Sequence, residues 1–280
     1  MDFTQFFWMI FLFFTVWPMI KQQNIERARL RLHRSFEEKR GSRLITMIHR
    51  QEAISILGIP ISRYINIEDS EQVLRAIRLT PDDMPIDIVL HTPGGLVLAA
   101  EQITLALMRH PAKVTVFVPH YAMSGGTMIA LAADEIVMDC NAVLGPVDPQ
   151  LGQYPASSII NAVKQKNINR VDDATLILAD MAAKAQHQVE DFVTQMLSER
   201  MPDQAKDLAK MLTEGRWTHD YPITCDKLRD MGLSINPGFP TEIYELMELY
   251  PQPPQRRPSV QYIPLPYGGR EPVPTKKMGS

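Results

Sequence analysis

Residues 91–139 of the chain read HTPGGLVLAAEQITLALMRHPAKVTVFVPHYAMSGGTMIALAADEIVMD. After a Pro-Gly-Gly turn, apolar runs of helix and strand length alternate, which predicts helix, strand, helix and strand at 96–110, 113–119, 124–133 and 135–139. The run IDIVLH, which leads into the turn, is largely apolar, as expected of a strand buried on both faces. Strands that alternate with helices pair in parallel, so the sequence predicts an α/β fold with a mostly parallel sheet.

The flanking sequence extends this pattern in both directions. Two strands are predicted upstream, at 43–49 and 53–57, and a helix that begins with acidic residues follows at 69–80. The second half of the chain is mainly helical, and its longest predicted helix spans 172–200. Residues 41–250 are therefore expected to form one folded domain.

The two ends of the chain differ in composition from this domain. The segment Phe3–Ile20 carries no charge and is long enough to cross a bilayer, so we expect a transmembrane anchor within residues 1–20. A cleaved signal peptide is the alternative, but it would need basic residues before the apolar run. Residues 21–40 predict a charged juxtamembrane helix, whereas residues 251–280 are rich in proline and are expected to be extended, without a core of their own.

The charges around the apolar segment predict its orientation. Lysine and arginine follow the segment and none precedes it, so the positive-inside rule places the folded domain in the cytoplasm and residues 3–20 in the lipid bilayer. The two cysteines, Cys140 and Cys225, match neither a disulfide framework nor a metal site, which agrees with a reducing compartment. A net charge of −3 gives no indication of a nucleic-acid partner.

The motif AMSGG, at residues 122–126, places one serine among small residues at the start of a predicted helix. A serine hydroxyl becomes a nucleophile only when a base removes its proton and hydrogen-bond donors stabilise the oxyanion. Small neighbours permit a sharp turn from strand to helix that exposes the Ser124 hydroxyl beside helix N-terminal amides, including that of Gly125. The amides of Gly94 and Gly95, at the end of the preceding strand, can approach a carbonyl oxygen without obstruction by a side chain.

Each of these two motifs has a simpler interpretation when taken alone, because small residues often serve close packing and Pro-Gly-Gly often forms only a turn. Their position at equivalent ends of neighbouring strands favours a functional site. No cofactor is expected, since the sequence has no convincing metal-ligand spacing. It also has no glycine-rich phosphate loop, so an ATP requirement within this chain is not expected.

Four blocks of the sequence, HTPGG, VPHYAMSGGTMIALAADEIVMD, AVLGPVDPQLG and EGRWTHDYP, resemble the serine dehydrogenase proteinase family. These proteins are membrane-anchored relatives of Clp protease and signal peptide peptidase A. The resemblance implies a Clp- or crotonase-like spiral of ββα units and a serine endopeptidase with Ser124 as nucleophile and Gly94 and Gly95 in the oxyanion hole. It also implies a homo-oligomer and a protein or peptide substrate, which the anchor would place near the membrane.

The resemblance leaves the general base open. Where Clp proteases carry their histidine, this chain reads GPVDPQ, so Asp148 occupies that place. The Ser-Asp-His set proposed for the closer family would then comprise Ser124, Asp148 and a later histidine, for which His219 and His187 are the candidates. We favour His219, because it stands in the segment RWTHDYP among other functional side chains.

Lysine is the alternative base, because signal peptide peptidase A uses one. Lys164, Lys166 and Lys184 all follow the serine at an eligible distance. A lysine must be desolvated to act as a base, and the apolar neighbours of Lys184 on its predicted helix could provide that environment. Histidine titrates near neutrality and needs little adjustment, which favours His219 over the lysines.

These inferences predict a membrane-anchored serine peptidase that forms an acyl-enzyme on Ser124. Two alternatives belong to other classes: a catalytically silent Clp-fold scaffold at the membrane, and a crotonase-like acyl-thioester enzyme whose paired amides hold a thioester oxygen. The second is disfavoured because crotonases need no serine at the helix start and the sequence shows no obvious site for the phosphates of coenzyme A.

Overall fold

The computed structural model describes residues 3–50, 54–56, 59–61 and 64–250, so the proline-rich tail lies outside the described part. The helices are α1 (Phe3–Arg40), α2 (Ile67–Arg78), α3 (Val97–Met108), α4 (Gly125–Leu131), α5 (Ala156–Lys164), α6 (Asp173–Ser198), α7 (Ala205–Thr213), α8 (Cys225–Asp230) and α9 (Thr241–Glu248). The strands are β1 (Arg43–Ile48), β2 (Ile54–Ile56), β3 (Ile59–Ile61), β4 (Ile86–His91), β5 (Val114–Val118), β6 (Tyr121–Ala122), β7 (Glu135–Met138), β8 (Val143–Leu144), β9 (Gln150–Leu151), β10 (Tyr154–Pro155), β11 (Ile223–Thr224) and β12 (Ile235–Asn236). A 3₁₀ turn at Ile168–Arg170 lies between α5 and α6.

A five-stranded sheet forms the centre of the domain. Its strands are all parallel and follow the order β1-β4-β5-β7-β12. Every residue of β4 is buried, because this strand has a neighbour on each side and packed helices on both faces. The predicted α/β fold with a mostly parallel sheet is confirmed.

Side chains that alternate along the strands divide the core into two layers. One layer packs against α2, α3, α4 and α6 and includes Ile45, Ile88, Val116 and Ile136. The other packs against α9 and the C-terminal part of α1, and includes Leu44, Val89, Phe117 and Val137. The sheet therefore lies between two helical layers, and the loops at the carboxyl ends of its strands remain available for a site.

The apolar segment and the charged segment at the N-terminus form one helix, because α1 runs for 38 residues without a break. Some large side chains near its start are exposed, among them Trp8 and Trp17. Within the described part of the chain, no helix is long and apolar enough to cross a membrane. The predicted anchor within residues 1–20 is therefore not supported: most of its side chains fall outside the described ones, and those described in α1 come mainly from its charged half. The predicted bilayer contact of residues 3–20 and the predicted cytoplasmic orientation of the domain stay predictions.

Short strand pairings bring distant parts of the chain to the carboxyl ends of the central strands. In a three-stranded sheet, β8 lies between β6 and β11. Ala122, just before the AMSGG serine, is the partner of Leu144, which in turn pairs with Ile223. Strands of two residues leave no periodicity in the sequence, which is why β6, β8 and β11 were not predicted.

Candidate active site

The two glycine-containing motifs lie side by side. Thr92, directly after β4, forms a parallel bridge with Ala122. Its N–H donates to Tyr121 O at 3.1 Å, and its carbonyl accepts from Met123 N–H at 3.0 Å. The two motifs, far apart in the sequence, are thus joined by backbone hydrogen bonds immediately before Ser124.

Ser124 has a strained backbone conformation. It is the N-cap of α4 and has φ 51° and ψ −118°, and among the described residues no other non-glycine has a positive φ. Such a conformation costs of order 1–3 kcal/mol and is retained where surrounding contacts enforce it, often at functional sites. It is the sharp strand-to-helix turn that the sequence predicted for a nucleophile.

Two glycines are required by close packing around this turn. Gly94 has φ 104°, and a Cβ at this position would lie 2.7 Å from Ser124 Cβ. A Cβ on Gly126 would lie 2.5 Å from the Thr92 methyl group. Any side chain at either glycine would therefore push the two motifs apart.

The amides of Gly95 and Gly125 are neighbours. A Cβ built on Gly125 would lie 3.8 Å from Gly95 N, and within the described residues neither N–H has a hydrogen-bond acceptor. The Gly94 N–H, in contrast, donates to Thr92 Oγ1 at 3.2 Å. Of the three glycines predicted to form an oxyanion hole, the geometry therefore leaves Gly95 and Gly125 as available donors, whereas Gly94 serves the close approach to Ser124.

Asp148 and His219 form a hydrogen-bonded pair, although they are 71 residues apart in the sequence. The distance from His219 Nδ1 to Asp148 Oδ1 is 2.8 Å. The Asp148 side chain is 1% exposed and that of His219 is 34% exposed. A buried carboxylate on Nδ1 fixes the tautomer with hydrogen on that nitrogen and leaves Nε2 to accept a proton.

Gln150 completes the environment of Asp148 and was not singled out by the sequence. Its Nε2 donates to Asp148 Oδ2 at 2.7 Å and lies 3.2 Å from His219 Nδ1. The Nδ1 hydrogen is directed to Asp148, so Nδ1 cannot accept a hydrogen bond from Gln150. The Gln150 amide therefore donates to the carboxylate and lies close to the ring without a hydrogen bond to it. Each oxygen of the buried carboxylate then has its own donor, which offsets the cost of burying the charge.

One cavity of about 230 Å³ connects these groups. Its polar lining includes Ser124, Asp148, Gln150 and His219, and the backbone of Gly95 and Gly125 also borders it. The apolar lining consists of Pro93, Val97, Met128, Val147, Pro149 and Val189. Within the described residues, Ser124 Oγ makes no hydrogen bond to His219, so the two meet at one cavity without direct contact.

Aromatic and cationic side chains support the segment that carries His219. The rings of Trp217 and Tyr221 stack with a centroid distance of 5.3 Å, and both contact the main core. Lys227 Nζ lies 4.5 Å from the Tyr221 ring centroid and bonds to its hydroxyl. These contacts hold the irregular segment between α7 and β11 without regular secondary structure.

The alternative bases lie away from the cavity. Lys184 is 69% exposed on α6 and pairs with Asp180 one turn earlier, so its apolar neighbours do not desolvate it. His187 is 76% exposed on the same helix and faces Asp191. Lys164, the last residue of α5, and Lys166, just after this helix, are also exposed. Within the described part of the chain, no group of three or more His, Cys, Asp and Glu side chains is arranged to hold a metal ion.

A second histidine, His49, contacts the turn that follows β4. His49 is buried, with Nδ1 at 2.8 Å from Thr92 Oγ1 and Nε2 at 3.3 Å from Asp69 Oδ2. Since Thr92 Oγ1 also receives the Gly94 N–H, this chain of contacts fixes the turn that presents Gly95. The sequence gives no signal for this role of His49, because nothing local to it indicates that β1 ends beside β4.

His91, the last residue of β4, lies beneath the same turn. It is 2% exposed, and its ring lies 4.4 Å from the Tyr121 ring centroid. Burial, with a smaller contribution from the nearby Arg50 charge, lowers the pKa of His91 to about 3. His91 is therefore neutral near pH 7 and acts as a packing residue.

The chain is similar to one protein family, to curated relatives and to solved structures. The family described as ClpP-like SDH-type serine proteinase matches residues 2–276. An uncharacterized protein of Methanocaldococcus jannaschii is 58% identical over 267 residues, which cover 95% of this chain and 91% of the relative. Among solved structures, ClpP1 from Listeria monocytogenes has 15% identity and a TM-score of 0.44, covering 68% of this chain and 86% of that chain. A membrane-bound stomatin-specific protease in complex with a substrate peptide has 20% identity and a TM-score of 0.45, and the match covers 65% of this chain and 74% of that chain. The resemblance seen in the sequence is confirmed, and the chain belongs to the family of ClpP-like SDH-type serine proteinases.

Proposed function

We propose that this chain is a serine peptidase that cleaves peptide bonds through an acyl-enzyme on Ser124, with His219 as general base and Asp148 as its orienting carboxylate. The observation that carries the proposal is the 2.8 Å pair of His219 and Asp148 at the cavity that contains the strained Ser124. A serine, a histidine and a buried carboxylate are the groups that acyl transfer to serine requires.

In this reaction, Ser124 Oγ attacks the carbonyl carbon of the peptide bond while His219 Nε2 takes the hydroxyl proton. The Nδ1–H stays bonded to Asp148, whose negative charge stabilises the imidazolium that forms. The imidazolium then returns the proton to the leaving amine, and the peptide C–N bond breaks. A water molecule, deprotonated by the same nitrogen, hydrolyses the ester and restores Ser124.

The negative charge on the carbonyl oxygen would be stabilised by the N–H groups of Gly95 and Gly125. Both amides border the cavity beside Ser124, and neither has another acceptor within the described residues. Removal of one such donor in serine proteases costs about 10²–10³-fold in rate, so this pair would contribute several kcal/mol.

The missing hydrogen bond between Ser124 and His219 is compatible with this proposal. Catalytic hydrogen bonds in serine enzymes are often long until substrate is bound, and they tighten in the productive complex. The segment that carries His219 is irregular and half-exposed, so a small shift of its side chain requires no change in the sheet. The assembly of a homo-oligomer stays a prediction from the family resemblance.

A fluorophosphonate probe and an internally quenched peptide substrate test the proposal together. We expect the wild-type protein to be labelled and to cleave the peptide, and Ser124→Ala to lose both while keeping its circular-dichroism spectrum. Ser198→Ala is the matched control, because Ser198 is an exposed serine whose hydroxyl bonds to Thr194 O on α6. It should keep both activities.

Undiminished hydrolysis by Ser124→Ala would refute the proposed nucleophile. Folded wild-type protein that neither reacts with the probe nor cleaves any peptide of a diverse set would instead favour the catalytically silent scaffold.

A further inference from the structure

A second cavity continues the catalytic cavity along the surface. It has a volume of about 680 Å³ and lies between the start of α3 and the middle of α6. Val97, Pro149, Gln150 and Val189 line both cavities, so the two form one continuous groove. A chain segment bound at Ser124 would therefore have a path into this second part, which we call the α3–α6 groove.

The walls of the α3–α6 groove combine apolar surface with negative charge. Leu98, Leu151 and Phe192 supply apolar contacts, and Leu98 is 58% exposed. The charged residues in the lining are Glu101 and Asp191, both acidic. Extended apolar surface beside a catalytic cavity is suited to a peptide, and its two carboxylates disfavour acidic side chains.

Glu101 is the carboxylate that has no counter-charge. Asp191 lies 3.3 Å from His187 Nε2, whereas Glu101 has no ion pair and no hydrogen bond within the described part of the chain. Glu101 is half-buried on the first turns of α3, and this burial raises its pKa. A cation placed beside Glu101 would therefore stabilise the charged form of this partly buried carboxylate. Asp191 is exposed and does not bear the same desolvation cost.

We propose that the α3–α6 groove binds the substrate peptide next to the scissile bond and that Glu101 binds a lysine or arginine side chain of that peptide. This inference rests on the proposed peptidase function. The long aliphatic part of a lysine or arginine can lie along Leu98 and Phe192 while its charged end reaches the carboxylate. The preferred substrates then carry apolar residues and a basic residue at one fixed distance from the cleaved bond.

The experiment uses internally quenched peptides of apolar sequence in which lysine, glutamine or glutamate is placed in turn at each position around the cleavage site. At one position, we expect the wild-type kcat/KM to be about fivefold to tenfold higher for lysine than for glutamate, as partly exposed charge pairs produce effects of this order. Glu101→Gln should bring this ratio close to one, and Glu101→Lys should invert it. The glutamine peptide is the neutral reference against which the lysine and glutamate rates of each protein are expressed.

Asp180→Asn is the matched control, because Asp180 is an exposed acid on α6 whose partner is Lys184 and which does not line the groove. It should leave the lysine-to-glutamate ratio unchanged. A ratio near one in the wild type at every position, or the same ratio in Glu101→Gln, would overturn the inference, as would an equal effect of Asp180→Asn.

A binding measurement separates this inference from the proposed function. Fluorescently labelled versions of the lysine and glutamate peptides are titrated into Ser124→Ala and into Ser124→Ala with Glu101→Gln. Preferential binding of the lysine peptide that depends on Glu101 supports the groove even if the protein cleaves nothing. Ser124-dependent cleavage without any such preference leaves the peptidase intact and rejects the role of Glu101.

Discussion

Two of the regions in which the sequence offered a general base differ in what surrounds the titratable group. The segment between α7 and β11 brings His219 to a carboxylate that is 1% exposed, at the edge of the cavity that contains Ser124. The face of α6 that carries Lys184 and His187 is open to solvent, and both residues pair with acids one turn away on the same helix. Local pairing of this kind stabilises a helix but does not set up proton transfer to a distant serine.

The comparison teaches that apolar neighbours in a helix do not show which face a polar residue occupies. Lys184 is followed by Ala185 and preceded by Ala182 and Ala183, and this composition suggested a desolvated lysine. In the structure, Ala182 is fully buried whereas Lys184 is exposed, because positions two apart point in very different directions around a helix. His219 has no such periodicity, and its environment comes from residues far away in the chain.

Replacement of the two candidate bases by alanine gives the largest difference between the regions. We expect His219→Ala to lower kcat/KM by about 10³-fold or more, since the serine loses the group that removes its proton. Lys184→Ala should change kcat/KM by less than about twofold, because its ion pair with Asp180 is exposed. Peptide hydrolysis at neutral pH, measured side by side, is the test.

The reverse order of these two effects would assign the base to α6. A large loss in both variants would mean that Lys184 contacts the site in a way that its exposed ion pair does not indicate. Intact folding of each variant is checked by its thermal unfolding midpoint.

Gln150 tests whether the His219 region depends on the second oxygen of Asp148. Gln150→Leu removes the donor at 2.7 Å, and we expect about a tenfold fall in the rate of Ser124 labelling by a small fluorophosphonate. A small probe is used because Gln150 also lines the α3–α6 groove. With a peptide substrate, a change in peptide binding could not be separated from a change in the reactivity of Ser124. Gln165→Leu, an exposed glutamine at the end of α5, is the matched control and should label at the wild-type rate. Equal rates for Gln150→Leu and wild type would show that the carboxylate does not need this donor.

His91 gives a contrasting case, because it is buried and has no carboxylate partner among the residues that the structure describes. Its pKa is lowered from 6.5 to about 3 in the folded protein, so between these values the unfolded state binds a proton that the folded state does not. Stability should therefore fall as the pH drops from about 6.5 towards 3, by up to about 1.4 kcal/mol per pH unit from this residue.

The free energy of unfolding in urea, measured at several pH values in this range, checks the effect. His91→Gln should reduce the dependence on pH, whereas His187→Gln, which removes an exposed histidine, should leave it unchanged. Parallel pH curves for His91→Gln and wild type would contradict the assigned environment.

The proposed nucleophile and the proposed oxyanion amides could be named from the sequence because each motif is short and contiguous. AMSGG and TPGG contain within a few residues the small side chains that a strained turn and a close approach demand, and Ser124, Gly95 and Gly125 indeed border one cavity. Gly94 was also predicted as a donor, and in the structure its N–H donates to Thr92 Oγ1. A side-chain acceptor two residues away cannot be distinguished from an open amide without the backbone conformation.

The sequence by itself determined the parallel α/β core and the likeness to a family of serine proteinases, because buried strands and glycine-rich turns leave local patterns. It also named Ser124, Asp148 and His219. Only the tertiary structure decided which of the candidate bases lies at the cavity, because His219 reaches Asp148 through the pairing of β11 with β8. The same is true of Gln150 and Glu101, whose significance lies in contacts or in a groove that form between segments distant in the chain. Local sequence encodes backbone geometry, whereas burial and charge pairing depend on which elements pack together.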